Sequence, residues 1–125
     1  MKLQPDKSSS TIINAHGLGW IQINGTRFQS SLVVSSIPGS PPSPWGPCLF
    51  ENLKASDFDA LVGLGAELII FGSGHQLRFA KPQWIQTLIG HGIGVETMDS
   101  AAACRTYNIL ASEGRKVIAA ILIES

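Results

Sequence analysis

The stretch MDSAAACRTYNILASEGR, Met98 to Arg115, places a thiol, two guanidiniums, a phenol and an amide on one expected helix, directly after the apolar segment GIGVE. At 100° per residue, Ala103, Tyr107, Leu110 and Ala111 fall on an apolar face. Arg105, Asn108 and Ser112 gather on the other, and Cys104 lies at the border, one turn from Asn108. A cysteine becomes a nucleophile where a helix N-terminus or a cation stabilises its thiolate. Cys104 stands in the second turn beside Arg105, yet the sequence places no histidine base near it, and the favoured reading is a buried structural thiol. The run Ala101-Ala102-Ala103 lets the helix approach a neighbour closely. Asp99 reads as its N-cap, a role worth about 1 kcal/mol. Glu113 and Arg115, after the helix, read as a surface or interface ion pair.

A second candidate is Gly72-Ser73-Gly74-His75. It follows an expected parallel strand, where open α/β sheets place their ligand crevices, and successive amides in a glycine-rich turn can cradle an anion. The turn lacks the glycine pattern of a dinucleotide site, the lysine of a P-loop and the GxSxG of a nucleophile elbow. A tight turn is the simpler reading, and Ser73 is a poor nucleophile candidate. If the strands Leu68–Phe71 and Ile93–Glu96 are parallel neighbours, the turn and Asp99 share one rim. Arg78, Arg105 and His75 then point into a common polar cleft. The candidate binding cleft is therefore Gly72, Ser73, Gly74, His75, Arg78, Asp99, Cys104, Arg105 and Asn108. No residue is assigned as catalytic, and no metal or cofactor is expected, since His16, His75 and His91 are scattered and Cys48 and Cys104 form no CxxC pair.

The elements that must position these groups read in two halves. From Thr11 the chain reads as strands, TIINAHG, GWIQING and TRFQSSLVVSS, with Asn24-Gly25 as a two-residue hairpin signal. The segment IPGSPPSPWGPC, Ile37 to Cys48, holds five of the seven prolines and reads as a loop, because proline cannot sit inside a sheet. It is a stiff connector or, in the sharper reading, a partner-binding surface anchored by Trp45. Ser56 reads as the N-cap of a helix with Phe58, Leu61 and Val62 on one face, ended by Gly63 or Gly65. A second helix starts near Pro82, with Trp84, Ile85, Leu88 and Ile89 as its apolar stripe. ELIIF, GIGVE and KVIAAILIE read as buried strands around the second and third helices. The expected fold is a single three-layer α/β domain over 11–125: a central mixed sheet, antiparallel N-terminal strands and a parallel β-α-β-α-β C-terminal half. Residues 1–10, polar and serine-rich, are expected to be a flexible N-terminus.

Nine basic residues balance nine acidic ones in the 125-residue chain, so a nucleic-acid role has no electrostatic footprint. The longest apolar run, Val117 to Ile123, is far too short to span a bilayer. The N-terminus MKLQPDKSSSTI has no apolar signal region, and two lone cysteines fit a reducing compartment, so a cytoplasmic location without membrane insertion is expected.

The segment GIGVETMDSAAACRTYNILASEGRKVIAAIL resembles the C-terminal signature of the α/β domain family that contains the mitochondrial complex I assembly factor 3. ELIIFGSGHQLRF and the helix after Lys81-Pro82 follow the same pattern, with Phe79-Ala80-Lys81-Pro82 as a small departure. The resemblance covers roughly Ile12 to Ile123. It implies a three-layer α/β domain without established catalysis and, in its eukaryotic members, assembly of the membrane-bound respiratory NADH dehydrogenase. The family's recurrent positions are matched by Gly72, Gly74, Asp99, Cys104, Tyr107, Asn108, Glu113 and Arg115, which serve fold or interface equally well. The reading is a non-catalytic binding or assembly protein with protein partners. The alternatives are a small-molecule or anion-binding protein or enzyme using the Gly72–His75 turn and the Asp99–Asn108 helix start, and an obligate self-association through the N-terminal half.

Overall fold

The run Val117–Ile123 sits at the centre of the molecule and organises it. In the computed structural model, which describes residues 11–124, its strand is buried along its whole length. Alternate side chains leave a strand on opposite faces, and here they enter two separate cores. Val117, Ala119, Ile121 and Ile123 enter one; Ile118, Ala120 and Leu122 enter the other.

Among the described residues the eight strands are β1 (Ala15–Gly17), β2 (Trp20–Ile23), β3 (Thr26–Phe28), β4 (Leu32–Ser35), β5 (Ser43–Pro44), β6 (Leu68–Gly72), β7 (Gly94–Met98) and β8 (Val117–Ile121). The helices are α1 (Ala55–Asp59), α2 (Pro82–Gly90) and α3 (Ser100–Ser112). The main sheet runs β5-β4-β8-β6-β7. β6 is parallel to both β7 and β8, with Leu68 opposite Gly94 on one side and Val117 on the other. β4 joins β8 antiparallel, and β5 pairs antiparallel with β4 at the edge. The sheet is therefore mixed, and helices lie on both of its faces, as the sequence suggests.

Two serines extend the β4–β8 ladder beyond its backbone pairs. Ser36 donates its hydroxyl to the Arg115 carbonyl and accepts from the Val117 N–H. At the other end Ser31 accepts from the Ile123 N–H. Both serines are buried, where an unpaired hydroxyl would be costly.

One face of the sheet carries α3 and a separate three-stranded meander, β1-β2-β3. The N-terminal strands thus do not all join the central sheet: only β4 and β5 do. Asn24 and Gly25 both have positive φ, 51° and 82°, the requirement of the tight β2–β3 turn. The opposite face carries α1, α2 and an aromatic cluster. Trp45, Phe58 and Phe71 meet edge-on at 5.3–6.0 Å between ring centres, and Phe50 and Trp84 extend the group.

Several local expectations are corrected. The proline-rich segment is not loop throughout, because Ser43-Pro44 forms an edge strand, a sheet position that tolerates a missing N–H. Trp45 is not displayed on the surface of that segment: it is 6% exposed, and its indole N–H donates to the Asp57 carbonyl. Ser56 lies inside α1 and does not cap it; Lys54 holds the cap position, and the Asp57 carboxylate accepts the Lys54 N–H. Ile89 is exposed, leaving Trp84 and Leu88 as the buried contacts of α2. Arg115 pairs with Glu67, not Glu113, through an exposed contact. The reading of residues 1–10 lies outside the described residues.

Candidate functional site

The chain leaves the three parallel strands at the same end of the sheet. β6 runs into Ser73–His75, β7 into Asp99–Ala101, and β8 into Leu122–Glu124. A short hydrogen-bond lattice ties the three exits together. The Ser73 N–H donates to the Met98 carbonyl and the Leu122 N–H to the Gly72 carbonyl, each at 2.9 Å. Ser100 accepts the Gly74 N–H at 2.9 Å and donates its hydroxyl to the Leu122 carbonyl at 2.8 Å. This is the carboxyl end of a parallel α/β sheet, where such folds open their crevices.

A cavity of about 240 Å³ opens there, between the strand exits and the β1–β2 hairpin. Gly74, His75, Asp99, Ser100, Ala101 and Cys104 line one side. His16 to Ile21 line the other, and Ile121 to Glu124 form its floor and end. In the β1–β2 register His16 lies opposite Ile21, and Ile21 is buried. Both therefore belong to the inward face of the meander. Gly17 is opposite Trp20, and a Cβ at Gly17 would collide with the Trp20 indole. Glycine is needed there so that the indole can fold across β1, and Arg27 stacks on the same ring at 3.9 Å.

The cavity gathers four of the nine cleft residues picked from sequence: Gly74, His75, Asp99 and Cys104. The other five do not line it. Ser73 is fully buried; its hydroxyl donates to the Gln76 carbonyl at 2.6 Å and accepts the Arg78 N–H at 3.0 Å, so it fastens the turn. Gly72 is the last residue of β6, and a Cβ there would crowd Ser100 and Ala103 at 3.0–3.1 Å. Arg78 points elsewhere, to the Ser73 carbonyl and the Glu124 carboxylate, with its guanidinium over Phe50. Arg105 is exposed on the outer face of α3. Asn108 holds the backbone of Ile13, accepting its N–H at 2.9 Å and donating to its carbonyl at 2.8 Å. Tyr107 similarly donates to the Thr11 carbonyl at 2.7 Å.

The anion-cradle reading of the glycine turn also changes. The amides of Ser73 and Gly74 already donate within the protein. The α3 N-terminus is occupied by the Asp99 carboxylate, which accepts the Ala102 N–H at 2.9 Å. An incoming anion would meet that carboxylate and the Glu124 carboxylate.

Electrostatics argue against thiol chemistry. Burial pushes the Cys104 thiol up to about 12, and the nearby Arg105 charge offsets only part of that. Burial likewise raises the Tyr107 phenol. Burial also works against the ionised form of Glu124, but hydrogen bonds from Arg78 and the Phe50 N–H outweigh it and hold the carboxyl below its ordinary range. Among the described residues no group of three or more histidine, cysteine, aspartate or glutamate side chains is placed to hold a metal ion.

The hairpin half of the cavity was missed from sequence. His16, Trp20 and Ile21 fall in stretches that read as strands, with Leu18 between them, but nothing in those stretches says where the meander docks. The one legible hint is the i to i+5 pairing of His16 with Ile21, which puts a histidine on an otherwise apolar face.

The architecture defines a class: a mixed α/β domain with a parallel β-α-β-α-β half, a docked β-meander and a small crevice at the strand exits. Residues 13–122 match the family described as a protein of unknown function (DUF498/DUF598), and the chain belongs to that family. Over 122 residues it is 34% identical to NADH dehydrogenase [ubiquinone] 1 alpha subcomplex assembly factor 3 of Bos taurus, covering 96% of this chain and 65% of the bovine one. The chain spans between 30% and 65% of the length of the mouse, human and bovine factors that it matches. Among solved structures, a Bordetella parapertussis protein superimposes with a TM-score of 0.85 at 33% identity, covering 93% of this chain and 98% of that one. A Bordetella pertussis protein described as an Mth938-like domain superimposes with a TM-score of 0.81 at 27% identity, covering 100% of this chain and 94% of that one. Among the described residues no helix is long and apolar enough to cross a membrane.

Proposed function

We propose that this chain is a non-catalytic binding protein that assists the assembly of a multisubunit membrane enzyme. It works from the cytoplasmic side through protein partners. The observation that carries the reading is its 34% identity to an NADH dehydrogenase assembly factor over nearly its whole length. The fate of its reactive side chains supports it. Ser73, Arg78 and Asn108 are spent on holding backbone, and the Cys104 thiol stays protonated at neutral pH. A nucleophile needs an adjacent base or a lowered pKa, and burial moves the Cys104 pKa the other way.

Deleting the coding sequence in its host and separating the membrane complexes on native gels tests this. The expected result is a lower amount of assembled NADH dehydrogenase, restored by the intact chain. An unchanged amount of that enzyme, together with no subunit of any membrane complex recovered by crosslinking to the tagged chain, overturns the reading.

A further inference from the structure

We propose that the cavity between the β1–β2 hairpin and the carboxyl ends of β6, β7 and β8 is a binding site for a small organic amine with an apolar body. This inference is independent of the assembly reading.

The size argues for a small molecule. An apolar cavity of about 150 Å³ admits benzene, and this one is about 240 Å³, enough for one ring or a short alkyl chain with a polar head. The body has an apolar wall to rest on: Ile21, Ile121 and Ile123 are all buried core residues that reach the cavity. Cys104 adds a neutral thiol to that wall.

The head is specified by charge. Asp99 and Glu124 both line the cavity, and no lysine or arginine does. Asp99 commits one oxygen to the Ala102 N–H; its other oxygen has no hydrogen-bond partner among the described residues. Glu124 is already paired with Arg78, which leaves Asp99, set at the α3 N-terminus, as the lining carboxylate with no side-chain cation among the described residues. His16 and His75 line the same cavity, each bringing an imidazole ring to it. A carboxylate or phosphate would enter against Asp99, at the one helix terminus where it would otherwise be welcome. A protonated amine meets attraction at the same place, and a charge-assisted hydrogen bond in a partly dry pocket is stronger than a neutral one.

Three probes of nearly one shape separate these contributions: benzylamine, benzyl alcohol and benzoate, each titrated calorimetrically against the intact protein. Benzylamine is expected to bind at least about tenfold more tightly than benzyl alcohol, with benzoate weakest. Asp99→Asn keeps an N-cap of equal quality. It is expected to bring the affinity for benzylamine down to that for benzyl alcohol and leave the latter unchanged. Ala101→Phe adds a ring at an exposed lining position, outside the packed core, and is expected to abolish binding of both while leaving the unfolding midpoint in place. Benzoate binding as tightly as benzylamine would overturn the proposal. So would an amine preference that survives Asp99→Asn, or no heat from benzylamine at millimolar concentration.

Discussion

Gly74 and Ser100 are bonded to each other twice. The Gly74 N–H donates to the Ser100 hydroxyl, and the Ser100 N–H donates to the Gly74 carbonyl, both at 2.9 Å. This reciprocal pair clips the turn after β6 to the first residue of α3, although the two are 26 residues apart. The Ser100 hydroxyl in turn donates a hydrogen bond to the Leu122 carbonyl just after β8. One side chain thus joins all three strand exits that frame the cavity.

Ser100→Ala removes the hydroxyl and leaves the buried Gly74 amide without its acceptor. A buried unpaired donor costs about 1–3 kcal/mol. Urea unfolding is expected to show an unfolding free energy lowered by that amount, read as a lower midpoint with an unchanged slope. Ser100→Thr, which keeps the hydroxyl, is expected to recover most of the loss. Equal stability of the alanine variant and the parent would show that the clip contributes nothing.

Asn108 is the second fastener. Its amide satisfies both the N–H and the carbonyl of Ile13, as a neighbouring strand would. Asn108→Ala is expected to cost about 1–3 kcal/mol and to raise amide exchange in the segment before β1. Asn108→Asp replaces the donor to the Ile13 carbonyl with an acceptor. It is expected to destabilise more at neutral pH than at acid pH, where the protonated carboxyl regains a donor.

The two cysteines make an internal comparison. Cys48 is exposed and Cys104 buried, and burial pushes the Cys104 thiol up to about 12. Because the thiolate is the reactive form, iodoacetamide at pH 8 is expected to modify Cys48 alone in the native protein and both in urea. Mass spectrometry of the digested product reads the outcome. Modification of native Cys104 at the rate of Cys48 would contradict the structure.

The Arg78–Glu124 pair gives a pH dependence with a definite sign. The folded-state pKa of Glu124 is lowered, because the hydrogen bonds from Arg78 and Phe50 outweigh the opposing effect of burial. A carboxyl with a lowered folded pKa adds stability that is present above its unfolded value, about 4.3, and is lost as pH falls through the folded value. Glu124→Gln is therefore expected to be less stable than the parent at pH 7, with the gap closing below about pH 4. A gap that stays constant from pH 7 to pH 3 would show that the carboxylate charge is not its source.

Local signals carried much of the fold. Asp99 before three alanines reads as a cap, and it caps α3. Asn24-Gly25 reads as a tight hairpin turn, and both residues take positive φ. The parallel pairing of Leu68–Phe71 with the strand after Gly92 also emerges as read, in the register Leu68 to Gly94. The cap and the turn depend on a few adjacent residues, whose backbone preferences act whatever surrounds them; the parallel pairing follows from the strand-helix-strand order, whose crossover returns the chain beside its first strand. Trp45 shows the limit: a tryptophan amid prolines looks like a surface anchor, but its indole is pinned inside by Phe58, Phe71 and the Asp57 carbonyl, none of which is nearby in sequence.

The cavity belongs to the same divide. Periodicity and end signals determined most of the strands and helices, because these are set within one turn or one hairpin, and the strand-helix-strand order determined the shared edge where β6 and β7 emerge. Tertiary packing alone decided that the β1–β2 hairpin would lie over that edge, that Arg105 would face solvent, and that Arg78 would turn to Glu124. Those outcomes depend on which apolar faces bury one another. Ile21 and Tyr107 meet in one core across a long stretch of chain, and residue order does not encode that choice locally.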